Sequence, residues 1–311
     1  MAAVMGANHH GKGRVRIVKV FRSGDQHSLL QFNVELLLEG PMDPAFTQGD
    51  NSIIIPTDTQ KNTVYIVAKR EAFDSAEEFA VILARHFLAT YPVLVTRCRI
   101  HVKEDLWDRM VVPGAGGRKS LHNHSFVKVG PQTTYARAEG MRDARGTPAI
   151  KLWAGVKGLT VLKTTQSSFV NFHKDMYTSL PEASDRLMGT CMDGEWAFDS
   201  SALKAGVNFR DLRRRILDTL LLAWSGPAHV GKPSASVQVT CYEMASALLA
   251  AAPLVTQCTL YMPNVHNLPF DLSKYGMHNA DHTGLPDIFY PVDEPHGIIQ
   301  ATVHRPRTSK L

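Results

Sequence analysis

Hydrophobic and polar residues alternate along two stretches in the first third of the chain. Leu30, Phe32, Val34, Leu36 and Leu38 alternate with Gln31, Asn33 and Glu35, which is the period of a half-buried β-strand. Leu94, Thr96, Cys98, Ile100 and Val102 alternate with Arg97, Arg99, His101 and Lys103 in the same way. Between them the spacing becomes helical. One helix is expected over about 58–69, and a second opens at Ser75, which forms a capping-box pattern with Glu78 and is followed by Phe79, Ile82, Leu83, His86 and Phe87 on one face.

The second half repeats this order. Strand patterns lie near 150–164 and 187–199, and a helix follows with Leu212, Ile216, Leu220 and Trp224 on one side. After a break at Gly226-Pro227 and Pro233, another helix carries Val237, Cys241, Met244, Ala245, Leu248 and Leu249, and a strand then carries Cys258, Leu260 and Met262 before a final hairpin-like strand. Strands in adjacent pairs with helices grouped between them indicate an α+β protein with antiparallel sheets, and exclude regular βαβ alternation. The repeat suggests a duplication dividing the chain at about 145–155, although the halves share no visible residue-level similarity. An antiparallel sheet with both helices on one face leaves its other face to be covered. Leu37 interrupts the polar side of its strand, so association with further copies is expected.

Composition narrows the function classes. In 311 residues the apolar fraction is 44% and the charged fraction 20%, ordinary for a globular protein. No apolar run reaches the roughly 18 residues of a membrane span, and the first residues lack the layout of a secretory signal. The net charge of +5 is mild. The densest basic cluster, Arg213-Arg214-Arg215, fans around a helix without stacking aromatics, so no nucleic-acid surface is expected. A modest positive field suits a small anionic substrate instead. The four cysteines, Cys98, Cys191, Cys241 and Cys258, have no paired spacing, which reads as free thiols and not as zinc ligands or a disulfide framework.

Three segments carry more specific information: Pro56-Thr57-Asp58-Thr59-Gln60-Lys61-Asn62-Thr63-Val64-Tyr65, Leu162-Lys163-Thr164-Thr165-Gln166-Ser167-Ser168-Phe169, and Met262-Pro263-Asn264-Val265-His266-Asn267. In sequence, order and spacing they resemble signature segments of the urate oxidase (uricase) family, and the resemblance extends from Gly11-Lys12 nearly to the C-terminus. It implies two tandem tunnelling-fold (T-fold) domains, at 12–150 and 151–305, with flexible tails at 1–11 and 306–311. It also implies a homotetramer that forms a barrel around a central tunnel, with active sites at subunit interfaces. The implied activity is oxidation of urate by O2 and water to 5-hydroxyisourate and hydrogen peroxide, with no metal and no organic cofactor.

The resemblance also assigns roles. In His10-Gly11-Lys12-Gly13-Arg14-Val15, a motif expected before the first strand, Lys12 is the relay lysine; its partners are Thr57 and His266. Phe169 is the aromatic that stacks on the purine, Arg186 grips one edge of the ring, and Gln238 grips the neighbouring edge. Asn264 and Thr57 hold O2 or water, and the backbone N–H groups of Asp58 and Val237 are substrate donors. The chemistry suits these residue types. A guanidinium fork binds a planar anion at two points, an amide both donates and accepts, and stacking on an aromatic face adds about 0.5–1.5 kcal/mol beyond area burial. Urate itself can supply the electrons, so the protein's task is to move protons and position oxygen. A hydroxyl between two titratable groups serves that purpose.

Plainer readings exist for each residue. Thr57 after a proline at a helix start reads first as an N-cap, His266 as a hydrogen-bonded structural group, Phe169 as core and Arg186 as half of a surface ion pair. His122-Asn123-His124 places two imidazoles on one face of a strand, with His101 as a third candidate; a strand with a structural role is preferred to a metal site. The terminal Ser309-Lys310-Leu311 has the form of a peroxisomal address in a eukaryotic host, whereas a bacterial host would imply the cytoplasm. The competing functions are another T-fold purine or pterin enzyme and a non-catalytic purine-binding protein. Members of the former usually anchor the ring through a glutamate, where this chain has the pair Arg186 and Gln238.

Overall fold

The computed structural model describes residues 3–143, 145–204 and 206–306, so Ser309-Lys310-Leu311 lie outside the described residues. The chain gathers into two compact units, one containing residues up to Val156 together with Trp196–Leu212, the other containing Lys157–Glu195 and the residues from Arg213 onward.

The first unit opens with an antiparallel hairpin, β1 (His10–Ser23) and β2 (Gln26–Glu39), turning at Gly24 with φ of 57°. Three helices follow: α1 (Asp43–Thr47), α2 (Thr57–Arg70) and α3 (Ala76–Thr90). The chain then forms β3 (Arg97–Asp105), a separate two-stranded ribbon of β4 (Trp107–Pro113) and β5 (Lys119–Lys128), and β6 (Thr133–Arg142). In the main sheet β2 pairs antiparallel with β3, Val34 opposite Val102, and β3 with β6, Ile100 opposite Ala138.

The sequence pattern accounts for the core of this unit. The alternating apolar residues Leu30 to Leu38 of β2 and Cys98, Ile100 and Val102 of β3 are all buried, on the side covered by α3. Phe79 of α3 is fully buried, its ring 4.4 Å from that of Phe73 and 5.8 Å from that of Phe32. Removing such side chains from water contributes about 1.5–3 kcal/mol each. Ser75 caps α3 as expected, its hydroxyl accepting from the Glu78 N–H, but Glu78 returns its carboxylate to the N–H of Asp74 and not to that of Ser75. Ile82 and His86 lie at the margin of the helical stripe, only half-buried, while Ala80, Ala84 and Leu88 widen it. On the opposite face of the sheet, Arg97 pairs with Glu139 at 3.0 Å and Arg99 with Glu39 at 3.0 Å, satisfying the polar half of the alternation.

Two strands, β7 (Pro148–Lys163) and β8 (Met188–Phe198), contribute residues to both units, as does α4 (Phe209–Ser225). The second unit continues with α5 (Val237–Ala251), β9 (Val255–Pro269), β10 (Phe289–Val292) and β11 (Ile298–His304). The expected stripes on both helices are buried: Leu212, Ile216, Leu220 and Trp224 on α4, and Val237, Cys241, Met244, Ala245, Leu248 and Leu249 on α5, which packs on β9 and β11. β9 has two successive partners. It pairs with β11 from Gln257 to Pro263, and with β10 from His266 to Pro269.

The class is α+β with antiparallel sheets, as the periodicity indicated. The sequence reading departs at β1, which begins at His10. Lys12 is therefore inside the first strand and not ahead of it, because Gly11 lets the two backbones meet: a Cβ there would lie 1.9 Å from the carbonyl oxygen of Leu36. All four cysteines are free thiols, and burial pushes those of Cys98 and Cys258 up to about 12.

Candidate active site

In the second unit, a cavity of about 400 Å³ is lined by Phe169, Arg186, Val237, Gln238, Asn264 and His266. All six of the sequence-predicted residues that belong to this unit therefore face one space, of a size that suits a small ligand.

Each wall has a local cause. After β7 the chain runs through Thr165–Phe169, pinned on both sides. Ser168 donates its N–H to Ser234 O at 2.9 Å, and Phe169 exchanges backbone hydrogen bonds with Ala183 at 2.7 and 3.0 Å. The Phe169 ring stacks on Phe172 with centroids 4.9 Å apart, and the Arg186 guanidinium carbon stands 5.2 Å from its centre. Val237 and Gln238 open α5, whose N-cap is Ser236, accepting from the Val239 N–H at 3.3 Å. First-turn N–H groups have no partner within the helix, and together with the helix dipole they favour an anion. Asn264 and His266 occupy the part of β9 where its partner changes from β11 to β10. In that gap Asn264 donates its N–H to Gly297 O at 2.9 Å, and a side chain at Gly297 would crowd the Asn264 amide at 3.3 Å.

The electrostatics favour an anionic guest. Arg186 is half-buried, its Nε is buried without a hydrogen-bond partner, and burial lowers its pKa from the ordinary guanidinium value. Burial first, then the charges of Arg186 and His296, hold the His266 imidazole below its usual pKa. At neutral pH it is therefore uncharged and able to accept a proton.

The first unit holds the other three residues. Lys12 pairs opposite Leu36 immediately before a bulge, where Arg14 has φ of 58°. His10 brackets the same place, its ring nitrogens 3.1 Å from Met42 Sδ and 3.0 Å from the carbonyl oxygen of Ile55, tying the start of β1 to the segment that leads into α2. Pro56 is the N-cap of α2 and provides no side-chain cap, so Thr57 is the first helical residue and its hydroxyl is not used as one. The cap reading of Thr57 is thereby removed. Asp58 accepts from Lys61 and, at 2.9 Å, from Asn62, and the charge of Lys12 adds to Lys61 in holding its carboxyl below the usual range.

The sequence reading did not single out every neighbour of these residues, His296 and Ile299 among them. The charge of His296 acts on His266, and Ile299 of β11 adds an apolar wall to the cavity. Ile299 could not be found from periodicity, because it reaches the cavity through the pairing of β11 with β9, which is set only in the folded sheet. His122 and His124 lie on β5, with rings 4.7 Å apart; the Nδ1 of His122 accepts from the N–H groups of His124 and Ser125 at 3.2 and 3.1 Å. Among the described residues, no group of three or more His, Cys, Asp or Glu side chains is placed to hold a metal ion.

Comparison with known proteins identifies the family of the chain. The uricase family model matches residues 8–139 and 153–300. The chain is 35% identical to the uricase of Oryctolagus cuniculus over 304 residues, covering 97% of this chain and 95% of the rabbit protein. It is 37% identical to the uricase of Arabidopsis thaliana over 317 residues, covering 97% and 96%. Among solved structures, the uricase of Arthrobacter globiformis superposes with a TM-score of 0.85 at 32% identity, covering 100% of this chain and 98% of that one. The urate oxidase of Bacillus sp. TB-90, at 20% identity and a TM-score of 0.79, shares the fold. The chain belongs to the uricase family.

Proposed function

We propose that this protein is a urate oxidase, converting urate, O2 and water to 5-hydroxyisourate and hydrogen peroxide. The observation that carries this reading is the convergence of Phe169, Arg186, Val237, Gln238, Asn264 and His266 on one cavity. The ring of Phe169 offers the purine a face, Arg186 and Gln238 grip its edges, and the Val237 N–H at the start of α5 adds a donor.

The urate dianion is the reductant and O2 the oxidant, so the reading calls for no redox cofactor. Two electrons leave the ring, O2 takes them with two protons as peroxide, and the hydroxyl of a water adds to the oxidised ring carbon. Protons travel along Lys12, Thr57 and His266, with the Thr57 hydroxyl both donating and accepting. The depressed pKa of His266 fits an acceptor that is neutral before turnover. Asn264 holds O2 and then water above the ring. The reading also includes assembly into a homotetramer with a central tunnel, in which Lys12, Thr57 and Asp58 of one copy complete the cavity of another.

The test is to incubate protein stripped with a chelator with urate and oxygen, following peroxide and the loss of urate absorbance. Stoichiometric peroxide supports the reading. Binding of urate without consumption would favour a purine-binding protein, and turnover of a different purine or pterin a different T-fold enzyme.

A further inference from the structure

Arg186 follows Asp185, the nearest carboxylate in sequence that could neutralise it. Here both oxygens of Asp185 are engaged elsewhere. Oδ2 accepts the Thr165 hydroxyl at 2.5 Å, and Oδ1 accepts the Ser167 N–H at 3.2 Å. Asp185 is thus tied to the segment that carries Phe169, while Arg186 keeps a buried Nε without a partner.

The tied segment needs holding. Gln166, between the two donors, has φ of 59°, in the left-handed region that residues with side chains rarely adopt. A turn of this kind persists only where its surroundings fix it. Three residues after Gln166 the backbone bridge between Phe169 and Ala183 begins, and two residues past Ala183 stands Asp185. The carboxylate and the bridge therefore fasten the same two segments at two points, and those segments carry the stacking ring and the guanidinium of the cavity.

We infer that Asp185 and Thr165 form a positioning latch, which sets Arg186 relative to Phe169 and, by occupying the carboxylate, leaves the cation free for an anionic ring. This rests on the urate oxidase reading and goes beyond it, because neither residue has a role in the reaction itself. The latch acts on binding. Displacement of a clamping group by even a fraction of an ångström weakens the grip on a rigid planar substrate.

The experiment uses the full-length protein and the variants Asp185→Ala, Thr165→Val and Thr165→Ser. Steady-state oxidation of urate gives kcat and KM, and titration with urate under strict anaerobiosis gives affinity without turnover. The expected result for Asp185→Ala and Thr165→Val is a rise of about tenfold in both KM and the anaerobic Kd, with kcat within about threefold of wild type. Thr165→Ser, which keeps the hydroxyl, should restore wild-type values. Thr165 is exposed, so Thr165→Val tests the latch even if Asp185→Ala fails to fold. A merely structural role would lower the melting temperature and the active fraction with KM unchanged, and that outcome overturns the latch, as does Thr165→Ser behaving like Thr165→Val. Wild-type protein that neither binds nor oxidises urate overturns the functional reading and the latch with it. An active wild type with unshifted variants overturns the latch alone.

Discussion

The guanidinium carbon of Arg186 lies over the Phe169 ring, 5.2 Å from its centre. An aromatic ring and a planar cation, the two groups a flat anion would engage, thus stand together in one cavity. Arg186→Lys keeps the charge but loses the planar fork. A charge-assisted hydrogen bond contributes about 1.5–3 kcal/mol, so the urate KM should rise roughly 10–100-fold. Steady-state kinetics check this, and an unchanged KM would remove Arg186 from the clamp.

The charge of Arg186 also acts on His266. Burial is the larger cause of the depressed imidazole pKa, and the guanidinium adds to it by disfavouring a second positive charge. The sign follows: Arg186→Gln removes that repulsion, so the His266 pKa should move up toward the ordinary imidazole range. In the wild type, protonation sets in only below that range, so the acidic limb of the pH–rate profile should lie lower than for an unperturbed histidine. Titration of the imidazole resonances by NMR in wild type and Arg186→Gln measures both values. A downward shift in the variant contradicts this electrostatic account.

Lys12 lies half-exposed on β1, so its loss should cost little stability. As a relay group it governs proton transfer, which contributes about 10²–10⁴-fold in rate. Lys12→Met should lower kcat by that order, leave anaerobic urate binding near wild type, and shift the melting temperature by less than a few degrees. Unchanged turnover would take Lys12 out of the relay.

Much of this was legible in the sequence, for identifiable reasons. The stripes on β2, α3, α4, α5 and β9 could be read because each buries one side against a continuous core, and a period of two or of 3.6 then appears directly in the residue order. The site residues could be named because their motifs are local, and Phe169, Arg186, Gln238 and His266 do converge on one cavity. What escaped depends on pairing between distant segments. β1 was not read as a strand at all; at its start Gly11 and Gly13 carry no apolar signal, yet Gly11 is what permits the close approach to Leu36. Thr57 was legible as a helix start but not as an unused hydroxyl, since that depends on Pro56 standing at the cap. The charge of His296 acts on His266 from outside any strand, a proximity that no local pattern announces.

The aromatic trio in the first unit gives a test of the core that is independent of the site. Phe79 is fully buried between Phe32 and Phe73. Phe79→Ala leaves a cavity that close-packed neighbours fill only partly, at a cost of about 3–5 kcal/mol. Denaturant unfolding of wild type and variant should show this as a lower midpoint with a similar slope. A loss under about 1 kcal/mol would show that the rings are not tightly packed there.

Lys12, Thr57 and Asp58 belong to one compact unit, and the six cavity residues belong to the other. If each working site takes its lysine from one copy and its arginine from another, Lys12→Met and Arg186→Ala chains are each inactive alone but complementary together. In randomly mixed oligomers a site works only when the first donor is an Arg186→Ala chain and the second a Lys12→Met chain, so about a quarter of sites should recover for a symmetric interface. Unfolding and refolding the two variants together, then assaying mixed oligomers isolated by differential tags, measures that fraction. Both defects would fall within one chain if each copy built its own site, and the mixture would then stay as inactive as its parts.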